Sequence, residues 1–309
     1  KKCGEEMEGM CPKMKMGLSV LLWMQVCFQA YAVSYVDRRV EKSVEIAPGV
    51  MMPSVNLGGV HGKPSNYSLF MSLGGRGLDT ALLYGDDVQI EVGKAVRSSG
   101  ISREDIFVTT KVPCCPPIDS FYNITCQPDW WNTTANIARD LSLLGVGYID
   151  LMLVHWPCKT KEQSLATYLE IEKMVQQGTA RAVGVSNFKS DDLEYILNHS
   201  TIPPAVNQCQ FSIGKHDDVT LQYCKAHNIT YQAWSPLGGL SGVDVLNDPD
   251  VKNIANSHGV SAAQVALRWV LQAGSIFVTA ALKKEYLQED LSLFSFELTD
   301  DEFDLLASK

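Results

Sequence analysis

From Val55 onward, short continuous apolar runs alternate with longer stretches in which apolar residues recur every three or four positions. The runs are Val55 to Gly58, Gly77 to Asp79, Ile106 to Lys111, Ile149 to His155, Ala182 to Val185, Ala205 to Gln208, Thr230 to Trp234 and Ile276 to Thr279. Most lack the polar alternation of a half-solvated strand, and such runs predict strands buried on both faces. The periodic stretches, among them Ile90 to Val96, Thr134 to Leu144, Leu165 to Gln176, Asp191 to Leu197, Val219 to Ala226 and Ala262 to Leu271, predict helices with one apolar face. Ser261 with Gln264, and Thr299 with Glu302, have the spacing of capping boxes. Ahead of the first run, Val44 to Pro53 reads as a hairpin turning on Pro48-Gly49. Eight buried strands joined by crossover helices predict an α/β fold, a (β/α)8 TIM barrel with a short N-terminal β-hairpin.

The first residues break this pattern. Met14-Lys15-Met16 precedes an apolar run from Leu18 to Cys27, and Ala30-Tyr31-Ala32 has the small-x-small form of a cleavage site. The expectation is a signal peptide over 14–32, an over-extended gene model over 1–13, and a single barrel domain over 33–309. The alternative is an uncleaved anchor, because Gly17 to Val36 is about long enough to span a bilayer.

Composition narrows the function classes. A chain of 309 residues, 46% hydrophobic and 20% charged, can bury one large core. A net charge of −9 with no basic stripe argues against nucleic acid as a partner. Five N-x-S/T sequons, at Asn66, Asn123, Asn132, Asn198 and Asn228, are more than twelve asparagines should give, and agree with entry into the secretory pathway. The six cysteines beyond residue 32 have no zinc-ligand spacing, so no metal centre is expected. An oxidising compartment would join Cys114 or Cys115 to Cys126 or Cys158 and leave Cys209 and Cys224 as buried thiols. The alternative is four reduced thiols in a cytoplasmic enzyme.

The candidate chemistry lies at strand ends. Read singly, Asp79 is as good a turn cap as a catalytic acid, Lys111 a snorkelling lysine, and His155 a core histidine. Together with Tyr84, five residues beyond Asp79, they assemble a carboxylate, an ammonium and an imidazole beside a phenol, as a proton donor requires. Lys111 would lower the phenol's pKa, Asp79 would hold Lys111, and His155 would orient a carbonyl oxygen towards Tyr84.

These residues and their settings resemble the aldo-keto reductases. Leu153-Val154-His155-Trp156-Pro157, Gly184-Val185-Ser186-Asn187-Phe188, Val206-Asn207-Gln208 and Ala233-Trp234-Ser235-Pro236-Leu237-Gly238 are similar to that family's signatures, in order. The resemblance implies a tetrad of Asp79, Tyr84, Lys111 and His155 that reduces an aldehyde or ketone with NADPH or NADH. It further implies that Ser186, Asn187 and Gln208 bind the nicotinamide carboxamide and that Trp234 stacks on the ring. Leu237 and Gly238 would lie against the pyrophosphate, and Ser235 and Glu289 would be further cofactor-binding residues. Aligned on Glu289-Asp290, however, Ala280, Ala281 and Tyr286 stand where the family has lysine, serine and arginine for the adenosine 2′-phosphate, with Lys283 and Lys284 nearby. Val60 replaces a frequent pocket tryptophan, and the segment between Val112 and Asn132 is longer than usual. The partners implied are a small carbonyl compound and no membrane after signal cleavage, for a monomer. The competing reading is a non-enzymatic barrel of the same family with a binding or structural role.

Overall fold

The computed structural model describes residues 40–59, 62–117 and 125–309. The segments read above as gene-model extension and signal peptide lie outside the described residues, as do Val60 and Asn123.

An antiparallel hairpin of β1 (Ser43–Ala47) and β2 (Val50–Pro53) precedes the parallel strands β3 (Val55–Gly58), β4 (Gly77–Asp79), β5 (Phe107–Val112), β6 (Ile149–Val154), β7 (Ala180–Ser186), β8 (Val206–Gln210), β9 (Thr230–Trp234) and β10 (Ile276–Thr279). The eight close in the order β10-β3-β4-β5-β6-β7-β8-β9. This is the predicted α/β barrel. Boundaries differ by one or two residues: β7 starts at Ala180, two residues before the apolar run suggests, because its second residue, Arg181, breaks that run.

Helices wrap the outside and their starts follow the capping residues. The helices Ala262–Gln272 and Asp300–Ala307 both show the predicted capping boxes, and Lys161–Gln176 has a third on Thr160 and Gln163. In each, a hydroxyl and an amide or carboxylate satisfy free N–H groups reciprocally.

The hairpin decides which end of the barrel is open. Ile46, Val50 and Met52 pack with Phe107, Leu151, Ala182, Val206 and Ile276, from the early part of their strands. Arg181 ties this plug down, donating to the Gly49 carbonyl and to the buried Asp150, which Arg103 also reaches. With the amino-terminal mouth closed, chemistry is left to the carboxyl-terminal end. Strand period two does the rest: Phe107, Thr109 and Lys111 point inward, as do Leu151, Leu153 and His155, so each strand passes from an apolar layer to a polar one.

Candidate active site

Asp79 ends β4, Lys111 is next to last in β5, and His155 follows β6. Tyr84 closes the one-turn helix Leu82–Tyr84 after β4, and Gly85, at φ 107°, turns the chain into the helix Asp86–Ser98. The structure brings the four together. Lys111 Nζ lies 2.5 Å from Asp79 Oδ1, donates to the Thr80 carbonyl at 2.9 Å, and sits 5.3 Å from the centre of the Tyr84 ring. The Tyr84 and His155 rings meet edge to face at 5.9 Å.

Burial sets the charge states. Lys111 is fully buried and desolvation pulls its ammonium below the ordinary lysine value, opposed by Asp79. His155 is held well below the usual histidine range, first by burial and then by the charge of Lys111, so the imidazole is neutral. Tyr84 overturns the expectation that Lys111 would lower it: burial, and then the charge of Asp79, push the phenol well above its usual range. The ammonium is committed to Asp79 and Thr80 and lies over the ring, so desolvation dominates.

The opposite side of the mouth carries the residues read as cofactor ligands. Ser186 Oγ donates to the Gln208 carbonyl at 2.7 Å, and Asn187 Nδ2 donates to Ser186 Oγ at 2.9 Å and to the His155 carbonyl at 3.0 Å. The Trp234 indole N–H donates to Asn187 Oδ1 at 2.9 Å, which fixes the half-buried ring. Asn187 and Ser235 both hold left-handed backbone, at φ 65° and 50°, a local strain that collects at binding sites. Gly238, at φ 91°, ends the turn begun at Ser235, where a Cβ would come within 2.2 Å of the Val243 carbonyl oxygen. Leu237 packs on the core beside it. Glu289 accepts from Ser261 Oγ at 2.7 Å with one carboxylate oxygen. Across the 280–286 segment, Ala280, Leu282, Lys283, Lys284 and Tyr286 are exposed, and Lys283 Nζ lies 5.2 Å from the centre of the Tyr286 ring.

A nicotinamide group fits this set on one observation. His155 Nδ1 and Gln210 Nε2 are buried without a partner among the described residues, just beyond β6 and at the end of β8. Buried polar atoms of this kind are expected where a polar ligand completes them.

Several groups were invisible to sequence reading. A closed polar set behind Lys111 joins Thr80, Gln89, Thr110 and Asp140, all fully buried. Gln89 Nε2 donates to Thr110 and Asp140, Thr110 Oγ1 donates to Asp140 at 2.7 Å, and Thr80 Oγ1 donates to Gln89. Burial pushes the Asp140 carboxyl up to about 7 against these bonds. Arg139 grips Asp86 with two bonds of 2.9 Å and Asp129 with one of 2.5 Å, tying the tyrosine loop to the long segment after β5. The cysteines, by contrast, follow the sequence-based expectation: the same segment is bridged by Cys114–Cys158 and Cys115–Cys126, with Cα separations of 5.1 and 6.0 Å, while Cys209 and Cys224 are free and buried. Among the described residues no group of histidine, cysteine, aspartate and glutamate has metal-binding geometry.

Residues 66–309 match the model of the aldo/keto reductase family. The chain is 35% identical over 229 residues to the 9,11-endoperoxide prostaglandin H2 reductase of Trypanosoma cruzi, covering 74% of this chain and 76% of that protein. It is 34% identical over 268 residues to the glyoxal reductase of Bacillus subtilis, covering 85% and 90%. The crystal structure of an aldo/keto reductase from Brucella melitensis superposes with a TM-score of 0.75 at 31% identity, over 87% of this chain and 99% of that one. With a closed barrel, polar strand ends at its open mouth and likeness of this extent, the chain belongs to the aldo/keto reductase family and is an oxidoreductase.

Proposed function

We propose that this enzyme reduces an aldehyde or ketone to the alcohol with NADPH or NADH, Tyr84 giving the proton. The observation that carries this is a neutral imidazole and a protonated phenol held edge to face over a buried Lys111–Asp79 pair. A bound nicotinamide would supply the hydride. His155 and Tyr84 would receive the carbonyl oxygen between them, and as negative charge develops there, the phenol proton moves to it. An alkoxide is roughly as strong a base as hydroxide and takes the proton downhill even from a phenol whose pKa burial has raised. The Lys111 ammonium then faces the phenolate. Ser186, Asn187 and Gln208 would hold the carboxamide and Trp234 the ring face, with Leu237 and Gly238 along the pyrophosphate and Ser235 and Glu289 as further cofactor contacts. The departures at Ala280, Ala281 and Tyr286 bear on the 2′-phosphate and so on the choice between cofactors. Tyr84→Phe tests the mechanism: it should abolish carbonyl reduction and keep cofactor binding, and near-normal turnover would sink it.

The enzyme is further proposed to act as a monomer on a small carbonyl compound in the secretory pathway. Two bridges at the mouth support that compartment, as do the sequon asparagines Asn66, Asn132, Asn198 and Asn228, all exposed.

A further inference from the structure

A chain of buried polar side chains crosses the barrel. Lys111 on β5 meets Asp79 on β4; Asp79 Oδ2 accepts from Gln208 Nε2 on β8 at 2.8 Å; and Gln208 Nε2 donates again, to Gln232 Oε1 on β9, at 2.8 Å. β4 and β8 are four places apart in a ring of eight, so the Asp79–Gln208 bond spans the barrel's interior. All four side chains are buried, at 0 to 2% exposure.

Chemistry fixes the direction of every bond. A carboxylate only accepts, so Gln208 must turn its amide nitrogen towards Asp79. The second N–H of that nitrogen then goes to Gln232, which must offer its oxygen. Gln208 has spent both donors within the protein and keeps only its carbonyl oxygen for anything that binds. Gln232 pays for this orientation with its own nitrogen, which is buried and unpartnered. Without Gln232 the Gln208 amide would keep only its bond to Asp79 and could swing about it, so that its oxygen is no longer aimed.

We propose that Gln232 is a positioning residue for the cofactor: it locks the Gln208 amide so that its oxygen faces the N–H donors of the nicotinamide carboxamide. Through Asp79, the same lock joins the cofactor side of the mouth to the lysine on the acid side. The proposal rests on the carbonyl-reduction reading, but its test separates the two.

Gln232→Met keeps length and removes both the acceptor and the orphaned donor. Cofactor affinity, read by quenching of protein fluorescence with NADPH and with NADH, should weaken about tenfold, the equivalent of one hydrogen bond of about 1.4 kcal/mol. The loss should appear in the KM for cofactor rather than in kcat, with the melting temperature unchanged or raised. A side chain that merely fills space would lower the melting temperature and leave affinity alone. Gln232→Asn, which keeps the amide but draws its oxygen back by roughly one carbon–carbon bond of 1.5 Å, should show the same split and stands in if the methionine variant does not fold. If either folded variant binds cofactor as tightly as the unaltered enzyme, the positioning role is wrong and the proposed function is untouched. If the unaltered enzyme quenches with neither cofactor, the proposed function fails first and takes this proposal with it.

Discussion

The Lys111–Asp79 pair should be worth more to the fold when broken than when replaced. Lys111→Met leaves the Asp79 carboxylate at 2% exposure with only the Gln208 amide against it. Removing one partner of a buried ion pair costs about 3–5 kcal/mol, since the remaining charge is stranded away from water. For a domain of this size each kcal/mol lowers Tm by roughly 2–4 °C, so the drop should be about 10 °C. Asp79→Leu strands the lysine instead, which can shed its proton. Its folded pKa is already depressed by burial, so the unfolded chain binds the extra proton and stability of this variant should rise with pH towards the ordinary lysine value. The double variant Asp79→Leu/Lys111→Met has no buried charge and should recover about 3 kcal/mol relative to the sum of the singles. Urea unfolding of all four proteins at pH 7 and pH 9 reads these quantities directly. Additive losses, or a cost below about 1 kcal/mol for Lys111→Met, would show that solvent reaches the pair and that the charge states assigned to Tyr84 and His155 lack their basis.

Asp140→Asn should flatten the stability profile: a folded carboxyl pKa near 7 against 3.8 means that stability falls as pH rises from about 4 to 7, by roughly 4 kcal/mol in the limit. An unfolding free energy at pH 5 and pH 8 that changes equally in both proteins refutes the assignment. Titration with both cofactors should show NADPH and NADH within about tenfold, because two or three charge-assisted bonds of roughly 1.5–3 kcal/mol each are missing at Ala280, Ala281 and Tyr286; a preference for NADPH beyond a hundredfold would move the phosphate to Lys283 and Lys284. Non-reducing peptide mapping of protein from a eukaryotic secreting host should recover the Cys114–Cys158 and Cys115–Cys126 peptides joined and the Asn66, Asn132, Asn198 and Asn228 peptides glycosylated, whereas free alkylation of all four cysteines, with bare asparagines, would refute the compartment.

The barrel was legible because strands covered on both faces are apolar throughout, a signal that survives without knowing the neighbours. Lys111 and His155 stood out for the same reason, as polar ends of apolar runs. Gln232 did not: it sits mid-strand beside Tyr231 and Ala233, and its partner Gln208 is 24 residues away. Asp140 lies on a helix whose polar residues mostly face solvent, and only the packing of Gln89 and Thr110 against it shows that it turns inward. Tyr84 is a comparable case, since sequence supplies the neighbouring charges but not the desolvation of the phenol, which raises it here. The N-terminal hairpin was visible as a turn, yet its function as the lower plug of the barrel came only from its contacts with Phe107, Leu151 and Ile276.

The adjacent cysteines divide labour in a way that bears on how such an enzyme can change. In an extended segment neighbouring side chains point opposite ways, so Cys114 can face the exit of β6 while Cys115 faces back along its own loop. The first bridge joins chain three residues beyond Lys111 to chain three residues beyond His155, and so braces the two strand ends whatever follows. The second closes a ring from Cys115 to Cys126, 11 residues apart, through a separate bond that takes no part in that brace. A change of sequence inside the ring therefore leaves the ends of β5 and β6, with Lys111 and His155, held as they are.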